Sequence, residues 1–314
     1  MNGLRLCRCA LGVMAAAALV AGCGGQSQVA PTGATIGAAS ASRAVLRAST
    51  KDPWLYVSGN ENNTVAIYDL AKSGFPEVGT LTNGVSGPEG IDVDKQGQVY
   101  VANWTGTVTI YPPGESSPSL TLSDELSEPD SVTVDKNENV WVCNRGSSPS
   151  IVVFPPGQPT PSAVITNSLI QSPTQIQFDA DGDLYYTDSS TGVSEIPNGS
   201  QNMTSLGLDG LQRTDGIAID STGNLFVGTF GSELDGVRVY VPDYQKPIRT
   251  LKDAKGSDYY ASGVVRKTEY AFIPDSYDDT VKAFTSRGRE PDFVINAGAA
   301  QYAVGVAVKA AGVP

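Results

Sequence analysis

Acidic side chains at three corresponding positions of a repeated phrase have the types and spacing to bind a hard cation. Glu89, Asp130 and Asp215 each occupy the second position of that phrase. Carboxylates that converge on one point repel one another, so such a group either keeps some of its protons or binds a cation. Oxygen ligands of this kind suit Ca²⁺, which makes the three residues candidate metal ligands. Short polar side chains at strand ends also hydrogen-bond the backbone in purely structural repeats, so both interpretations stay open.

A second group of polar and bulky residues follows the second strand pattern of successive repeats. We predict that this group and the acidic positions share one ligand-binding face. Large, partly aromatic faces on rigid scaffolds suit the binding of a ligand or a partner. The bulky members could equally pack between repeats. The predicted face contains Asn103, Trp104, Asn144, Arg145, Asp188, Phe230, Asp275 and Tyr277.

The repeated phrase returns every 41 to 47 residues, and this period predicts the fold. Each unit contains four short strand patterns, and a turn with Gly or Asn joins the first pattern to the second. A period of this length with several strands per unit is typical of the blades of a β-propeller. The phrase starts at Pro88, Pro129, Pro173, Thr214 and Ala261, and its opening returns once more at Ala303.

The two ends of the chain complete each other as a further unit. Residues 54–58, 64–70 and 77–82 have the patterns of second, third and fourth strands, and residues 303–309 have the pattern of a first strand. Joined in one sheet, these segments would close the ring and remove its open edges. We therefore predict an all-β fold for residues 53–314, a six-bladed β-propeller of four-stranded blades.

Two resemblances to known families rest on these patterns. Along residues 53–309 the repeats resemble the NHL-repeat family of six-bladed β-propellers. The segment 214–225 (Thr-Asp-Gly-Ile-Ala-Ile-Asp-Ser-Thr-Gly-Asn-Leu) is similar to the Pro-Asp-Gly segment of the SMP-30/gluconolactonase and paraoxonase-like lactonases. Pro129-Asp130 has the same form, and Pro88-Glu89-Gly90 resembles the segment that supplies the glutamate ligand of that family.

The second resemblance implies a chemistry for the acidic positions. Glu89, Asp130 and Asp215 would hold a central Ca²⁺ that polarises a lactone carbonyl, and a carboxylate would help to activate water. Asn103 and Asn144 would assist. The sequence departs from this family at residues 173–175 (Pro-Thr-Gln), where an Asn-bearing loop is expected, and it has no counterpart of the paraoxonase histidines.

The chain contains no histidine, and this absence excludes several enzyme classes. A Ser-His-Asp triad is impossible, as are the zinc-dependent lyase of the amidating-enzyme propellers and the histidine-based streptogramin lyase. Cys143 has no histidine to activate its thiol, and we expect it to be a small buried residue. The segment 179–183 (Asp-Ala-Asp-Gly-Asp) resembles the opening of an EF-hand loop. The twelfth position of such a loop would be Ser190 instead of Glu, so we predict a hairpin turn.

The N-terminus has the pattern of a bacterial lipoprotein signal. Arg5 and Arg8 precede a short apolar stretch that ends in Leu-Val-Ala-Gly before Cys23. This segment resembles a lipobox, which implies cleavage after residue 22 and a lipid on Cys23, and several acyl chains hold a protein on a membrane. We predict a signal peptide at residues 1–22, a flexible tether at residues 23–52 and the propeller at residues 53–314.

The charge composition of the chain limits the classes of partner that it is expected to bind. The formal net charge is −12, with 33 acidic and 21 basic residues, so nucleic acid is not an expected partner. We predict a monomeric binding module in the bacterial cell envelope, anchored to the outer membrane or cell surface, which presents one propeller face to a peptide, glycan or protein. The alternative is a Ca²⁺-dependent lactonase or related hydrolase. A purely structural role in the assembly of the envelope is a third hypothesis.

Overall fold

The computed structural model describes residues 52–200, 202–230, 236–243, 245–252, 270–285 and 288–312. Within these ranges no helix is long and apolar enough to cross a membrane. The predicted signal peptide, Cys23 and nearly all of the predicted tether lie outside the described residues.

The described residues form strands throughout, and their bounds follow the predicted repeat. The strands of the first half are β1 (Trp54–Gly59), β2 (Thr64–Asp69), β3 (Glu77–Leu81), β4 (Pro88–Val93), β5 (Val99–Asn103), β6 (Thr107–Tyr111), β7 (Leu120–Leu122), β8 (Pro129–Val134), β9 (Val140–Asn144), β10 (Ser150–Phe154) and β11 (Ala163–Ile165). Those of the second half are β12 (Pro173–Phe178), β13 (Leu184–Asp188), β14 (Gly192–Ile196), β15 (Thr204–Ser205), β16 (Arg213–Ile219), β17 (Leu225–Phe230), β18 (Gly236–Tyr240), β19 (Arg249–Leu251), β20 (Tyr270–Asp275), β21 (Thr280–Thr285), β22 (Phe293–Asn296) and β23 (Ala303–Lys309).

These strands form six antiparallel sheets, one for each blade of a six-bladed β-propeller, as predicted. Blade 1 has the order β23-β1-β2-β3, and blades 2 to 5 contain β4–β7, β8–β11, β12–β15 and β16–β19. Blade 6 contains β20–β22 within the described part of the chain. Its predicted first strand, near Ala261, lies outside the described residues.

The ring closes in blade 1, where the two ends of the chain meet. The innermost strand β23 pairs antiparallel with β1, with Leu55 opposite Val308 and Val57 opposite Val306. All four of these side chains are buried. The sheet therefore joins residues about 250 positions apart in sequence, which confirms the blade predicted from the chain ends.

The hydrophobic core lies between neighbouring blades. Strands such as β1, β5 and β10 are buried along their whole length, whereas the outer strands β11 and β15 are mostly exposed. Side chains of adjacent blades pack together, for example Tyr56 of blade 1 with Ile91 and Tyr111 of blade 2. Because apolar residues fill both faces of the inner strands, each blade supports the next one.

Two faces of the propeller follow from this strand order. We call the axial face the end at which the first strands begin and the second strands end, and the turn face the opposite end. On the turn face a short turn joins the first two strands of a blade, and Asp94 shows its form by accepting hydrogen bonds from the backbone N–H groups of Gln96 and Gln98, both 2.9 Å long.

The fourth residue of these turns has a left-handed backbone, which favours glycine. Gly97 and Gly182 have φ of 81° and 89°. In blade 3 the left-handed residue is Glu138, with φ of 68°, and not one of the asparagines expected there. The segment at 179–183 is the corresponding turn between β12 and β13, so the hairpin prediction for it is confirmed.

Candidate functional site

The three predicted acidic residues come together in one cavity on the axial face. The cavity has a volume of about 140 Å³. Its lining consists of Glu89, Trp104, Asp130, Arg145, Asp215, Ser276, Tyr302 and Val304. Blades 1, 2, 3, 5 and 6 supply these side chains, because the first strands converge around the middle of the ring.

An irregularity of the backbone places each carboxylate. The pairing of β4 with β5 shifts its register between Pro88 and Ile91, and corresponding shifts occur at the start of β8, β12 and β16. A β-bulge bends the strand and re-aims the side chains beside it. Glu89, Asp130 and Asp215 each lie within such a bulge. The same β-bulge therefore orients one carboxylate in each of three blades around the cavity.

Glycine lets the bulges approach one another closely. A Cβ atom added at Gly305 would lie 2.1 Å from the carbonyl oxygen of Glu89. One added at Gly90 would lie 2.7 Å from the Cα atom of Ser131. Any larger residue at these positions would push the neighbouring first strands apart. The glycines therefore hold the carboxylates at short range.

Arg145 supplies the positive charge of the cavity. Its Nη1 atom donates to Oδ2 of Asp130 at 3.1 Å, and its Nε atom donates to Oγ of Ser172 at 2.9 Å. The guanidinium carbon also lies 5.6 Å from the ring centre of Trp104, within the range of a cation–π contact. Two hydrogen bonds and an aromatic ring thus hold this side chain.

The other two carboxylates have fewer partners. Oε1 of Glu89 accepts a hydrogen bond of 2.6 Å from Nδ2 of Asn60. The backbone oxygen of Asp215 accepts from Oγ1 of Thr187 at 2.9 Å. No donor among the described residues bonds to the carboxylate of Asp215. The hydroxyl of Ser276 is buried and likewise has no hydrogen-bond partner in the described structure.

The carboxyl groups hold their protons more tightly than usual. Burial, reinforced by the neighbouring charge of Asp215, raises the pKa of Asp130 to about 7 although Arg145 opposes the change. Burial also raises the pKa of Asp215 to about 6. For Glu89, burial and the charges of Asp130 and Asp215 raise the pKa well above its usual range. The cavity is therefore only partly ionised near neutral pH, and an added positive charge would favour full ionisation.

The described arrangement does not fit the Ca²⁺ site that the sequence suggested. The Arg145 guanidinium already lies against Asp130, where a metal ion would need that oxygen. In the described ranges no group of three His, Cys, Asp or Glu side chains is arranged to hold a metal ion. The Ca²⁺ site stays a prediction from the sequence, and no catalytic step follows from this geometry.

The predicted ligand-face residues divide into two groups. Asn103, Asn144, Asp188 and Asp275 are buried at or near full depth. Oδ1 of Asn103 accepts from the backbone N–H of Ser86 at 2.9 Å. Oδ2 of Asp188 accepts from two backbone N–H groups, both at 2.7 Å. Asn103, Asn144 and Asp188 thus hold the loops that enter the first strands, whereas Asp275 accepts from the backbone N–H groups of Tyr277 and Asp278.

The bulkier members are placed differently. Trp104 and Arg145 line the cavity, whereas Tyr277 is 77% exposed and lies outside the lining. Phe230 ends β17, and its side chain is outside the described structure. Ser276 occupies the position after a second strand that Trp104 and Arg145 occupy in their own blades. If blade 6 had been aligned correctly with the other repeats, the sequence would have pointed to Ser276 together with Trp104 and Arg145.

Tyr302 is a cavity residue that sequence reasoning missed. It is 39% exposed, and its backbone has φ of 57°, which is uncommon for a bulky side chain. Gly87 precedes the phrase of blade 2 as Tyr302 precedes that of blade 1, and it has φ of 59°. Aligning the two repeats would have pointed to Tyr302, because this tyrosine occupies the position of a glycine in blade 2.

Comparisons with known proteins agree with this fold. A family model described as strictosidine synthase-like, N-terminal, matches residues 79–110, a stretch that includes Glu89, Asn103 and Trp104. No curated protein matches the chain. The chain is similar in structure to a chain in the crystal structure of a nidogen/laminin complex, with a TM-score of 0.70 and 14% sequence identity, over 82% of this chain and 98% of that one.

Two further solved structures are similar to the chain. A protein of unknown function from Bacteroides caccae has a TM-score of 0.62 and 13% identity, over 82% of this chain and 98% of that one. The hydrazine synthase of Kuenenia stuttgartiensis has a TM-score of 0.56 and 15% identity, over 74% and 73% of the two chains. At such identities the likeness shows a shared β-propeller fold and nothing about activity.

Proposed function

We propose that this protein is a binding module whose axial face seats a peptide or protein ligand, with one positively charged group of that ligand in the central cavity. The observation that carries this proposal is the convergence of three carboxylates around a single guanidinium. With all groups ionised, the cavity holds three negative charges and one positive charge. A ligand ammonium or guanidinium group would balance that excess.

The rest of the cavity suits such a group. Trp104 offers an aromatic ring to a cation, and aromatic rings attract cations by about 0.5–2 kcal/mol. The Asp215 carboxylate and the Ser276 hydroxyl could each accept a hydrogen bond from the entering group. Tyr277, exposed at the same end of the propeller, would contact the remainder of the ligand. A glycan remains a second candidate ligand, although a neutral sugar would leave the excess charge unbalanced.

A protein partner is also supported by one structural neighbour. One similar chain belongs to the crystal structure of a nidogen/laminin complex. A six-bladed β-propeller therefore occurs in a complex with another protein, and the present chain would use its own residues for that purpose.

We also propose that a lipid on Cys23 anchors the protein in the bacterial cell envelope. The support is the lipobox pattern before Cys23 in the sequence. The test is phase partition of the expressed full chain in detergent, compared with a Cys23→Ala variant. We expect the original chain in the detergent phase and the variant in the aqueous phase. Equal partition of both would exclude the anchor.

The binding proposal is tested with a small cationic probe. We would titrate the protein with N-acetyl-lysine methylamide and follow the melting temperature at pH 7.5. The neutral control is N-acetyl-norleucine methylamide, which has the same chain without the ammonium group. At a hundred times its Kd, the lysine probe would stabilise the protein by about 2.7 kcal/mol. That is about 5–10 °C for a domain of this size.

The double variant Asp130→Asn/Asp215→Asn should lose this response. An equal response to norleucine, or an unchanged response in the variant, would reject the cavity as a cation site. The same instrument tests the alternative function. A saturable rise in melting temperature with millimolar Ca²⁺, reversed by a chelator, would restore the metal hypothesis and justify a screen of lactones.

A further inference from the structure

A larger groove lies on the turn face, away from the central cavity. Its volume is about 730 Å³, and it lies between blade 4 and blade 5. Strand β16 links the two places, because it carries Asp215 near its axial end and Ile219 at the end that lines the groove. Four residues of extended chain separate them by about 13 Å. The groove is therefore a separate feature from the cavity of the proposed function.

Apolar side chains form much of the groove surface. Leu206 and Leu208 are half-buried in its wall, and Ile219, Leu225 and Tyr240 lie deeper. The outer strand of blade 4, β15, has two residues, both exposed, so it covers little of this surface. A short outer strand thus leaves part of the core between blades 4 and 5 accessible.

The polar part of the groove has one sign of charge. Six carboxylates line it and no Lys or Arg does so among the described residues: Asp179, Asp181, Asp183, Glu195, Asp220 and Asp243. Several of them also hold turns, as Asp179 does by accepting from the N–H groups of Asp181 and Asp183 at 2.9 Å. Burial together with the charges of Asp183 and Asp179 raises the pKa of Glu195. The groove therefore has a negative potential.

The turns of blades 2 and 3 show a different arrangement. There, Gln96 of one turn donates to the carboxylate of Glu138 in the next turn, and Lys95 reaches the backbone oxygen of Lys136 at 3.4 Å. These contacts draw the turns together. The corresponding turns of blades 4 and 5 place Asp181 and Asp220 along the groove, and like charges do not close a gap.

We propose that this groove binds a basic, partly apolar peptide segment of a partner protein. The charge of the lining selects lysine and arginine side chains, and the exposed core between the blades selects apolar side chains between them. The volume lies within the range of about 300–1,000 Å³ that is usual for ligand sites. Since six carboxylates would face the segment, association should be faster and tighter at low salt.

The test uses the full chain and a capped fluorescent hexapeptide of alternating lysine and leucine, titrated by fluorescence anisotropy. A variant with Asp181→Asn, Glu195→Gln and Asp243→Asn removes three charges from the groove. We expect its Kd to rise at least tenfold. The matched control removes three exposed charges elsewhere, by Glu61→Gln, Asp124→Asn and Glu125→Gln, and should stay within twofold of the original. Melting temperatures of both variants verify that the fold is retained.

Two further arms separate the groove from general charge attraction and from the central cavity. A hexapeptide of alternating lysine and serine should bind at least fivefold more weakly than the lysine–leucine peptide. The groove variant is also compared with its parent in an Asp130→Asn/Asp215→Asn background, which removes two carboxylates of the central cavity, and the tenfold rise in Kd should persist there. Equal affinity for the two peptides, equal losses in the groove and control variants, or the disappearance of the groove effect in that background would each overturn the proposal.

The same titration identifies one competing occupant. The chain itself has a basic segment with apolar residues before the propeller, from Arg43 to Lys51. If this segment filled the groove, neutralising it by Arg43→Gln, Arg47→Gln and Lys51→Gln would tighten peptide binding at least tenfold. That result would overturn the assignment to a partner protein. Unchanged affinity is the result expected from the proposal.

Discussion

Two sets of polar residues lie on the axial face, and they differ in how fully the protein bonds them. The exit positions, at the ends of second strands, include Asn103, Asn144, Asp188 and Asp275. The entry positions, at the starts of first strands, include Glu89, Asp130 and Asp215. Within each set, the residues occupy the same place in successive blades. The sequence pattern alone therefore makes both sets equally good candidates for ligand binding.

The difference lies in their hydrogen bonds. Asp188 accepts bonds from the N–H groups of Gln171, Ser172, Ser190 and Thr191. By contrast, the Asp215 carboxylate has no donor among the described residues, and its pKa is raised. A carboxylate that the backbone satisfies stabilises a loop, whereas one that lacks partners retains the capacity to bind something else. The exit positions therefore stabilise loops, whereas the entry positions keep the capacity to bind a ligand that the proposed function requires.

The largest effect should come from an exit position that is paired with a charge. Lys282 forms a salt bridge with Asp275, and both side chains are almost fully buried. Lys282→Met would leave the Asp275 carboxylate without this charge, and we expect a loss of about 4 kcal/mol in the free energy of unfolding. Urea unfolding measures it. A loss below about 1 kcal/mol would mean that the exit positions are not structural.

The same substitution at the two sets should have opposite signs, and the exit position has the larger effect. Asp188→Asn replaces one acceptor oxygen with an NH₂ group that faces backbone donors. We expect a loss of about 2–3 kcal/mol. Thermal unfolding at pH 7.5 gives the comparison with Asp215→Asn below. Equal signs at the two positions would remove the distinction between the sets.

The entry positions should make stability depend on pH. The folded protein holds protons on Asp130 and Asp215 up to pKa values of about 7 and about 6, whereas the unfolded chain releases them near pH 4. Between these limits the folded state binds more protons, so stability falls as pH rises. Allowing for solvent in the cavity, we expect a loss of about 2 kcal/mol from pH 5 to pH 8.

Other carboxyl groups also titrate in this range, so the informative quantity is a difference. The Asp130→Asn/Asp215→Asn variant should show a flatter dependence of melting temperature on pH than the original chain. Parallel curves for the two proteins would mean that these carboxyl groups titrate normally. The lysine probe should bind more tightly as pH rises through 6 to 7, because the ionised carboxylates are the binding form.

The smallest effect is a gain in stability at an entry position. Asp215→Asn removes a buried carboxylate that no donor satisfies, and we expect a gain of about 1 kcal/mol at pH 7.5, or about 2–4 °C in melting temperature. The gain should accompany weaker binding of the lysine probe, as expected where a binding site is maintained against stability. A loss of stability would indicate that Asp215 has a structural partner.

The regular parts of the fold were accessible to sequence reasoning. Repeats of 41 to 47 residues place the blades, and the two chain ends predict the closing sheet of β1 and β23. The phasing also selected Glu89, Asp130 and Asp215, which the structure brings into one cavity. Such success has a simple cause, because alternating burial and turn residues are local properties that recur in each blade.

The assignment of residues to positions of the repeat became unreliable where one repeat differs from the others. In blade 6 the sequence suggested Tyr277, whereas the cavity is lined by Ser276, one residue earlier. Tyr302 was not selected because its fragment of the repeat is short. The groove between blades 4 and 5 had no signal in the sequence, since it depends on the length of β15 and on side chains from two blades.

The repeat pattern is sufficient to predict the number of blades, the closure of the ring and the positions of its acidic residues. The folded chain is needed to show which polar residues the backbone satisfies, that Arg145 lies against Asp130, and where the blades leave a gap. The two kinds of property differ because secondary structure follows from residues close in the chain. Hydrogen bonding, burial and pKa values depend instead on residues that are distant in sequence and meet only when the ring has closed.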